Sequence, residues 1–332
     1  MVARILLMFM LALAGPVAAH AATLRLATVA PDGSFWMREM RAGAEEIARR
    51  TDDRVRIQFF PGGVMGNEQA VLRRIRIGQL QGGAFTGGSL SPVYRDASIY
   101  SLPFLLRSHA EVDFVRERFD AELQRGLLDA GFVSFGIAEG GFARLLSAQP
   151  VVQLGDLEGQ KVWVPEGDPV AYAAMEALGL TPTTLPLTDV LTGLQTGLIN
   201  IVASPPIGAI AFQWHTRVNY MTDTPLAYTW AQLMIDKRAF ERLDVADRAV
   251  VTEVMRAVYE RLDEQNRRDN ESATAAMVKR GIELVAPNAA ELAEWQAVGE
   301  RITQTVIERG TFSSDLYDRI RAALDEYRAA HP

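Results

Sequence analysis

The first third of the chain switches repeatedly between a strand pattern and a helix pattern. Residues 24–28 alternate apolar and polar side chains, as a half-buried strand does. Trp36, Met40, Ala44 and Ile47 then recur at spacings of four, four and three, which marks one face of a helix. A strand, a helix and a strand follow at 55–60, 67–77 and 80–86. This β-α-β-α-β order predicts parallel strands joined by crossover helices.

The same alternation begins again after residue 145, which predicts a second α/β lobe. A capping box at Ser108 and Glu111 opens a helix that runs to about residue 130, and a strand follows at 132–137. The later segments are a strand at 162–164, helices at 169–178 and 188–196, and a strand at 198–203.

The C-terminal third is mostly helical, and residues 245–280 form its longest periodic segment. A helix of this length is about 54 Å long, more than one small lobe spans. Its polar middle, DEQNRRDNE at 263–271, predicts a solvated crossing between two lobes with each end packed on one of them. Two shorter helices joined by a loop are the alternative. Asn288 and Ser314 are expected to cap the last two helices.

The first residues have the three regions of a secretory signal peptide. Arg4 precedes an apolar run at 5–13, and Ala19-His20-Ala21 fits a small-x-small cleavage site. The run is too short for a transmembrane anchor. Residues 1–21 are therefore predicted to be a cleaved signal peptide that directs the chain to the periplasm. No later segment is long and apolar enough to span a membrane, so we expect a soluble mature protein.

Composition excludes most catalytic chemistry. The 332 residues include no Cys and four His, so thiol nucleophiles and the usual zinc sites have no ligands to draw on. Motifs for phosphate binding, dinucleotide binding and hydrolysis are absent. The net charge of −7 argues against a nucleic-acid partner. We therefore expect no catalytic residues, no metal site and no cofactor, and a secreted enzyme is the least favoured reading.

Five segments resemble, in order and spacing, motifs of the solute-binding proteins of TRAP (tripartite ATP-independent periplasmic) transporters, of the DctP type. They are FPGGVMG at 60–66, SLPFL at 101–105, DLEGQKVWVP at 156–165, LGLTP at 178–182 and LQTGLIN at 194–200.

The resemblance implies a periplasmic receptor with two α/β lobes, a central cleft and a long helix that spans both lobes. In that family a small organic acid binds in the cleft and is passed to a two-part membrane permease. Lobe I is expected to comprise residues 22–142 and 229–262, and lobe II residues 143–228 and 263–332. A subunit that presents its ligand to a membrane sensor is the alternative function.

The chain departs from the family where the ligand carboxylate is usually clamped. The arginine position is Trp163, and a second one falls at Ala143 beside Arg144. Ser204 replaces an asparagine, and Tyr228 replaces an aspartate. Each change is toward an aromatic, apolar or uncharged side chain, so we expect a larger, more apolar or aromatic ligand held by stacking and a few hydrogen bonds.

The expected cleft residues combine these matched positions with neighbouring aromatic and polar side chains. They are Trp163, Phe85, Thr86, Ser89, Phe142, Arg144, Ser204, Tyr228, Glu166, Leu187, Trp36 and Trp214. A tryptophan on a strand is more often part of a core, and this alternative stays open for Trp36, Trp214 and Trp230.

Overall fold

The computed structural model describes residues 21–331. Residues 1–20, most of the expected signal peptide, lie outside the described range. The strands are β1 (Ala22–Ala27), β2 (Val55–Phe60), β3 (Gly82–Thr86), β4 (Phe132–Ser134), β5 (Ala138–Ser147), β6 (Trp163–Pro165), β7 (Thr183–Leu185), β8 (Ile201–Ser204), β9 (Tyr220–Thr222), β10 (Ala227–Asp236) and β11 (Glu283–Val285).

The helices follow the predicted order closely. They are α1 (Phe35–Arg50), α2 (Glu68–Arg76), α3 (His109–Asp129), α4 (Pro169–Ala177), α5 (Val190–Thr196), α6 (Pro206–Ala211), α7 (Lys237–Glu241), α8 (Val245–Lys279), α9 (Ala289–Glu308) and α10 (Ser314–Ala330). Within residues 21–331, none of them combines the length and the hydropathy needed to cross a bilayer.

Short polar side chains begin several of these helices by accepting hydrogen bonds from free backbone N–H groups. Ser34 and Asn67 cap α1 and α2, and Asn288 caps α9 with a complete capping box. The box expected at Ser108 is only half formed, because the Glu111 carboxylate accepts from the backbone N–H of Arg107 instead. The last helix is capped by Ser313, one residue before the predicted Ser314.

The first lobe is built on a mixed sheet. β1 pairs in parallel with β2 and β3, which confirms the predicted parallel unit. β10 then pairs antiparallel with β3 and with β4. α1 packs on this sheet through Met37, Met40 and Ile47, which are buried in one apolar cluster.

The second lobe continues from the first through two long strands that the sequence patterns did not reveal. β10 pairs with β3 at its C-terminal half and with β5 at its N-terminal half. β5 continues beyond β10 to pair with β8 and β9. The parallel pair β6–β7 adjoins β8 through a bridge between Val162 and Ile201. Gly140-Gly141 interrupts the side-chain alternation of β5, so no clear strand pattern is visible there in the sequence.

Helix α8 is continuous over 35 residues, so the alternative of two shorter helices is wrong. Its first part packs on α1, where Val258 lies against Gly43. Its last part packs on α6. The polar middle is not simply solvated as predicted: the Asn266 and Asn270 side-chain amides donate to the backbone carbonyls of Glu139 and Gly140 at 2.6 and 2.9 Å.

The last two helices pack in different places. α9 lies against α4, and its Trp295 Nε1 donates to the Val152 carbonyl at 2.9 Å. α10 packs against α3, whose strand neighbour β4 belongs to the first sheet. The residue boundaries of the two lobes given above stay a prediction.

Gly141 allows the β5 backbone to bend beside α8. Its φ is +100°, and an added Cβ would lie 2.5 Å from Asn270 Nδ2. We expect Gly141→Ala to lower the free energy of unfolding by about 1–3 kcal/mol, because alanine is strained at this φ and displaces the amide. Urea unfolding measures the change. Gly155→Ala is the control, since a Cβ there meets nothing within 4 Å; equal losses in both variants would contradict the interpretation.

Candidate functional site

A cavity of about 470 Å³ lies between the two lobes. Its walls come from β3 and from the bridging strands β5 and β10 on one side, and from β6, β8 and α4 on the other. All five tryptophans of the chain line it: Trp36, Trp163, Trp214, Trp230 and Trp295. Because mostly apolar cavities of this size are typical of small-molecule sites, it is the candidate ligand site.

The structure brings most of the expected cleft residues together. Ten of the twelve line the cavity: Trp163, Phe85, Thr86, Ser89, Ser204, Tyr228, Glu166, Leu187, Trp36 and Trp214. Phe142 and Arg144 do not belong to this lining. The part that any of these residues plays in binding stays a prediction.

The position of Arg144 follows from strand alternation on β5. Ala143 lines the cavity, and its neighbours on the strand point to the other face. The Arg144 guanidinium instead forms an ion pair with Asp223 at 2.5 Å. Phe142 packs its ring edge-on against Tyr228 and His109. Arg144 therefore does not replace the missing clamp, because that would need a one-residue change of register.

Trp163 is both buried and part of the cavity wall. It is 5% exposed, and its Nε1 donates to the Leu185 carbonyl at 2.9 Å. Its ring meets Trp214 edge-to-face with centroids 5.3 Å apart, and Trp214 stacks on Phe212 at 5.4 Å. The three rings form a continuous aromatic wall, in which the hydrogen bond fixes the orientation of Trp163.

A buried arginine lies behind the cavity rather than in it. Arg116 Nη1 lies 3.4 Å from the Tyr228 hydroxyl, and Tyr228 is fully buried. Asp120 and Asp263 bind the same guanidinium at 3.0 and 2.8 Å. Burial raises the pKa of Tyr228 well above its usual value. Since Arg116 is already paired with two carboxylates and screened by the tyrosine ring, it is not free to pair with a ligand.

Glu139 lines the cavity next to the crossover of β5 and is fully buried. Arg267 Nη2 and His109 Nδ1 both lie 2.8 Å from its carboxylate oxygens. Burial on its own raises the pKa of Glu139, but these two partners outweigh it and hold the pKa below the usual value. Glu139 is thus a charged carboxylate whose charge is compensated from behind the cavity wall.

Glu68 is a cavity residue that the sequence did not single out, because it resembles an ordinary first-turn acid of α2. Its carboxylate accepts hydrogen bonds from the Thr86 backbone N–H at 2.5 Å and the Thr86 hydroxyl at 3.2 Å. Burial, aided by the nearby charge of Asp168, raises the pKa of Glu68 to about 7 despite these bonds.

Asp168 is the second carboxylate that the sequence did not reveal. It caps α4 by accepting from the backbone N–H groups of Val170 and Ala171 at 3.0 and 3.1 Å. Burial raises its pKa above the usual value. The signal that could have revealed it was its place one residue before Pro169, typical of a helix N-cap beside the predicted strand at 162–164.

The charges on the cavity wall are all of one sign. Four carboxylates line it, Glu68, Glu139, Glu166 and Asp168, whereas no Lys, Arg or His among residues 21–331 does. Over the same range, no three acidic or histidine side chains converge in the way that a metal ion requires.

The two lobes touch at the mouth of the cavity. Asn67, the cap of α2, donates to Glu166 at 2.6 Å. Gly63 lies so close to Thr188 that an added Cβ would be 2.7 Å from the threonine methyl. The Gly88 backbone similarly lies against the Asp168 carboxylate. These contacts describe a closed arrangement in which glycine lets the lobes approach.

Glu68→Gln keeps an acceptor for Thr86 but cannot ionise. The pKa of Glu68 lies near 7 in the folded chain against an ordinary 4.5. The wild type should therefore be at least as stable as the variant at pH 4. Its free energy of unfolding relative to the variant should fall as the pH rises from 4.5 through 7. The relative loss should be on the order of 2–3 kcal/mol at pH 8, read from urea unfolding.

The matched control for this prediction is Glu45→Gln. Glu45 lies on the exposed face of α1, and its replacement by Gln removes the same single negative charge. Parallel pH profiles for the wild type and Glu68→Gln would contradict the shifted pKa.

Comparison with known protein families gives one family match over most of the chain. The model of the DctP family, described as bacterial extracellular solute-binding protein, family 7, matches residues 26–309. A solute-binding protein from Verminephrobacter eiseniae is 26% identical over 218 residues, 64% of this chain and 64% of its own length. The C4-dicarboxylate-binding periplasmic protein DctP of Rhodobacter capsulatus is 24% identical over 289 residues, 85% of each chain.

Solved structures share the fold at low sequence identity. A TRAP periplasmic solute-binding protein from Xanthobacter autotrophicus with bound β-D-galacturonate has a TM-score of 0.82 and 22% identity, covering 90% of this chain and 99% of its own. A Bordetella pertussis extracytoplasmic solute receptor binding pyroglutamic acid has a TM-score of 0.83 and 21% identity, covering 93% and 100%. The two-lobed architecture with a central cleft is therefore shared with these receptors.

Proposed function

The chain belongs to the DctP family of TRAP solute-binding proteins, and from that premise we propose that it captures a small organic solute in the interlobe cavity and delivers it to a membrane permease. The members of this family are receptors, not enzymes. The observation that supports the proposal is the cavity itself, which two lobes enclose and which all five tryptophans line. Hinge closure around a ligand is the usual mode of action of such a two-lobed arrangement.

We place the mature protein in the periplasm. Relatives such as the Rhodobacter capsulatus protein are periplasmic by name, and residues 1–21 have the pattern of a signal peptide. The membrane partner is proposed to be a two-part permease, as the family resemblance implies. Genes for permease subunits beside this one would support that partner, and a gene for a sensor kinase in their place would favour the sensor alternative.

The proposed ligand is more apolar or aromatic than the acids named for the relatives. C4-dicarboxylate, galacturonate and pyroglutamate are acids. In this cavity Trp163 and Ala143 occupy the two positions where the family resemblance implies arginine. A charge-assisted hydrogen bond contributes about 1.5–3 kcal/mol. Burying one more apolar group of the ligand contributes a similar amount, about 1.5–3 kcal/mol. Aromatic contact can therefore offset the missing clamp.

The chemical class of the ligand can be tested by thermal shift and tryptophan fluorescence on the mature protein. We expect aromatic or branched aliphatic compounds that fit about 470 Å³ to raise the melting temperature and change the emission, because every tryptophan lines the cavity. Succinate and galacturonate should have little effect. Tight binding of these acids without binding of aromatic compounds would overturn the apolar assignment. Mass spectrometry of co-purified ligand provides an independent identification.

Trp163→Ala should weaken binding of such a ligand at least about tenfold, since it removes a ring from the aromatic wall. Trp163→Phe keeps a ring but loses the bond to Leu185, so its effect should be smaller. Calorimetric titration with the best compound from the screen measures both. Tyr172→Ala on α4 is the control, because this half-exposed aromatic is not part of the cavity lining. Equal affinities for Trp163→Ala and the wild type would place Trp163 in the core alone.

A further inference from the structure

Three of the four wall carboxylates have no cationic partner among residues 21–331, and Glu68 and Asp168 are the two of them that are not exposed. Glu139 is compensated by Arg267, and Glu166 lies exposed at the mouth against Asn67. Glu68 and Asp168 are the remaining pair. Their recorded partners are uncharged: the Thr86 and Ser89 groups for Glu68, and two backbone N–H groups for Asp168. Both lie at helix N-termini, whose partial positive charge is the compensation they have, so a cation would find two acceptors that no basic side chain of the described residues occupies.

These two side chains come from different lobes and converge on one short segment. Glu68 is the first residue of α2 and binds Thr86 at the end of β3. Asp168 caps α4 in the second lobe and lies against Gly88, two residues further along. A side chain on Gly88 would occupy the place of the carboxylate, so glycine is what permits the approach. Burial is the main cause of the raised pKa of Glu68, and the nearby charge of Asp168 adds to it.

Aromatic rings surround the same segment. Trp230 is 3% exposed and lies on Gly87, where an added Cβ would be 2.6 Å from the indole ring. Its buried Nε1 has no hydrogen-bond partner among the described atoms. A buried N–H without an acceptor is destabilising, so the Trp230 indole calls for an acceptor, which an oxygen of the ligand can supply. The faces of Trp36 and Phe85 complete this side of the cavity.

We propose that the ligand carries a positively charged nitrogen, an amine or ammonium group, which binds between Glu68 and Asp168 while its apolar part contacts the tryptophans. The cation supplies the missing counter-charge for both carboxylates, and aromatic faces attract cations as well as apolar groups. It also links the lobes: as they close, two like charges approach one another, and a cation between them converts this repulsion into attraction. Closure then depends on the charge of the ligand as well as on its shape.

The inference rests on the proposed receptor function and names the charge of its ligand. It differs from the acids named for the relatives, because a carboxylate would be placed in a cavity that already holds four carboxylates and no basic side chain from residues 21–331. The wall carboxylates would repel such a ligand, and it would lose its hydration without gaining a cationic partner.

Three probes with the same skeleton test the charge directly: 3-phenylpropylamine, 3-phenylpropanol and 3-phenylpropionate. Tryptophan fluorescence and calorimetric titration at pH 7.5 give the affinities of the mature protein. The amine should bind at least about tenfold more tightly than the alcohol, which corresponds to about 1.4 kcal/mol. The acid should bind most weakly. Added salt should weaken the binding of the amine but not that of the alcohol.

The double variant Glu68→Gln, Asp168→Asn removes both charges while keeping an acceptor for Thr86 and a capping oxygen for α4. It should bind the amine and the alcohol within about threefold of each other, and its melting temperature shows that it is folded. Glu45→Gln on the exposed face of α1 removes one carboxylate outside the cavity; it is the surface control and should keep the full preference.

The outcomes separate this inference from the proposed function. If the alcohol or the acid binds and the amine binds no better, the cation site is wrong while an apolar solute receptor stands. If the preference for the amine survives in the double variant, the assignment to Glu68 and Asp168 is wrong. If none of the probes binds at millimolar concentration, the cation site is overturned, and the ligand screen above decides the apolar assignment separately.

Discussion

The hydrogen bonds between β5, β10 and the middle of α8 are the contacts on which the rest of the structure depends. β10 pairs with β5, and β5 continues beyond it to pair with β8, so the lobes share a continuous strand rather than only a linker. The Asn270 side-chain N–H donates to the Gly140 carbonyl on β5, and its oxygen accepts from the Ile207 backbone N–H at the start of α6. These two hydrogen bonds join α8 to β5 and to α6. The cavity opens beside this crossover, and the direction of every β5 side chain fixes which groups reach it.

Desolvation explains how charge is distributed around the cavity. Cations near it are paired on its outer side: Arg116 with Asp120 and Asp263, Arg144 with Asp223, and Arg267 with Glu139. Each guanidinium is thereby satisfied without a ligand, because a buried charge without a partner would be costly. The wall that remains is aromatic and acidic. No arginine from residues 21–331 lines this wall although the fold is shared with the family, because the fold fixes where the site lies and the side chains fix its chemistry.

The closed arrangement uses small residues at its points of contact. Gly63 and Gly88 let the second lobe approach within a distance that any side chain would prevent, and Gly87 makes room for the ring of Trp230. The aromatic wall of Trp163, Trp214 and Phe212 belongs to the second lobe, while Trp36 and Trp230 belong to the first. A ligand between them contacts both lobes at once, which couples its binding to their closure.

The sequence by itself determined the order of most helices and strands, the cap at Asn288, the length of α8, and the family through five local motifs. These depend on neighbouring residues, whose periodicity and capping chemistry are visible in one dimension. Tertiary structure alone decided that β5 and β10 bridge the lobes, since glycines obscured one of them. It also turned Arg144 outward and brought Glu68 to Asp168 across one hundred residues of chain. Alternation shows that neighbours on a strand face opposite ways, but only the packing of both lobes selects which of the two faces meets the cavity.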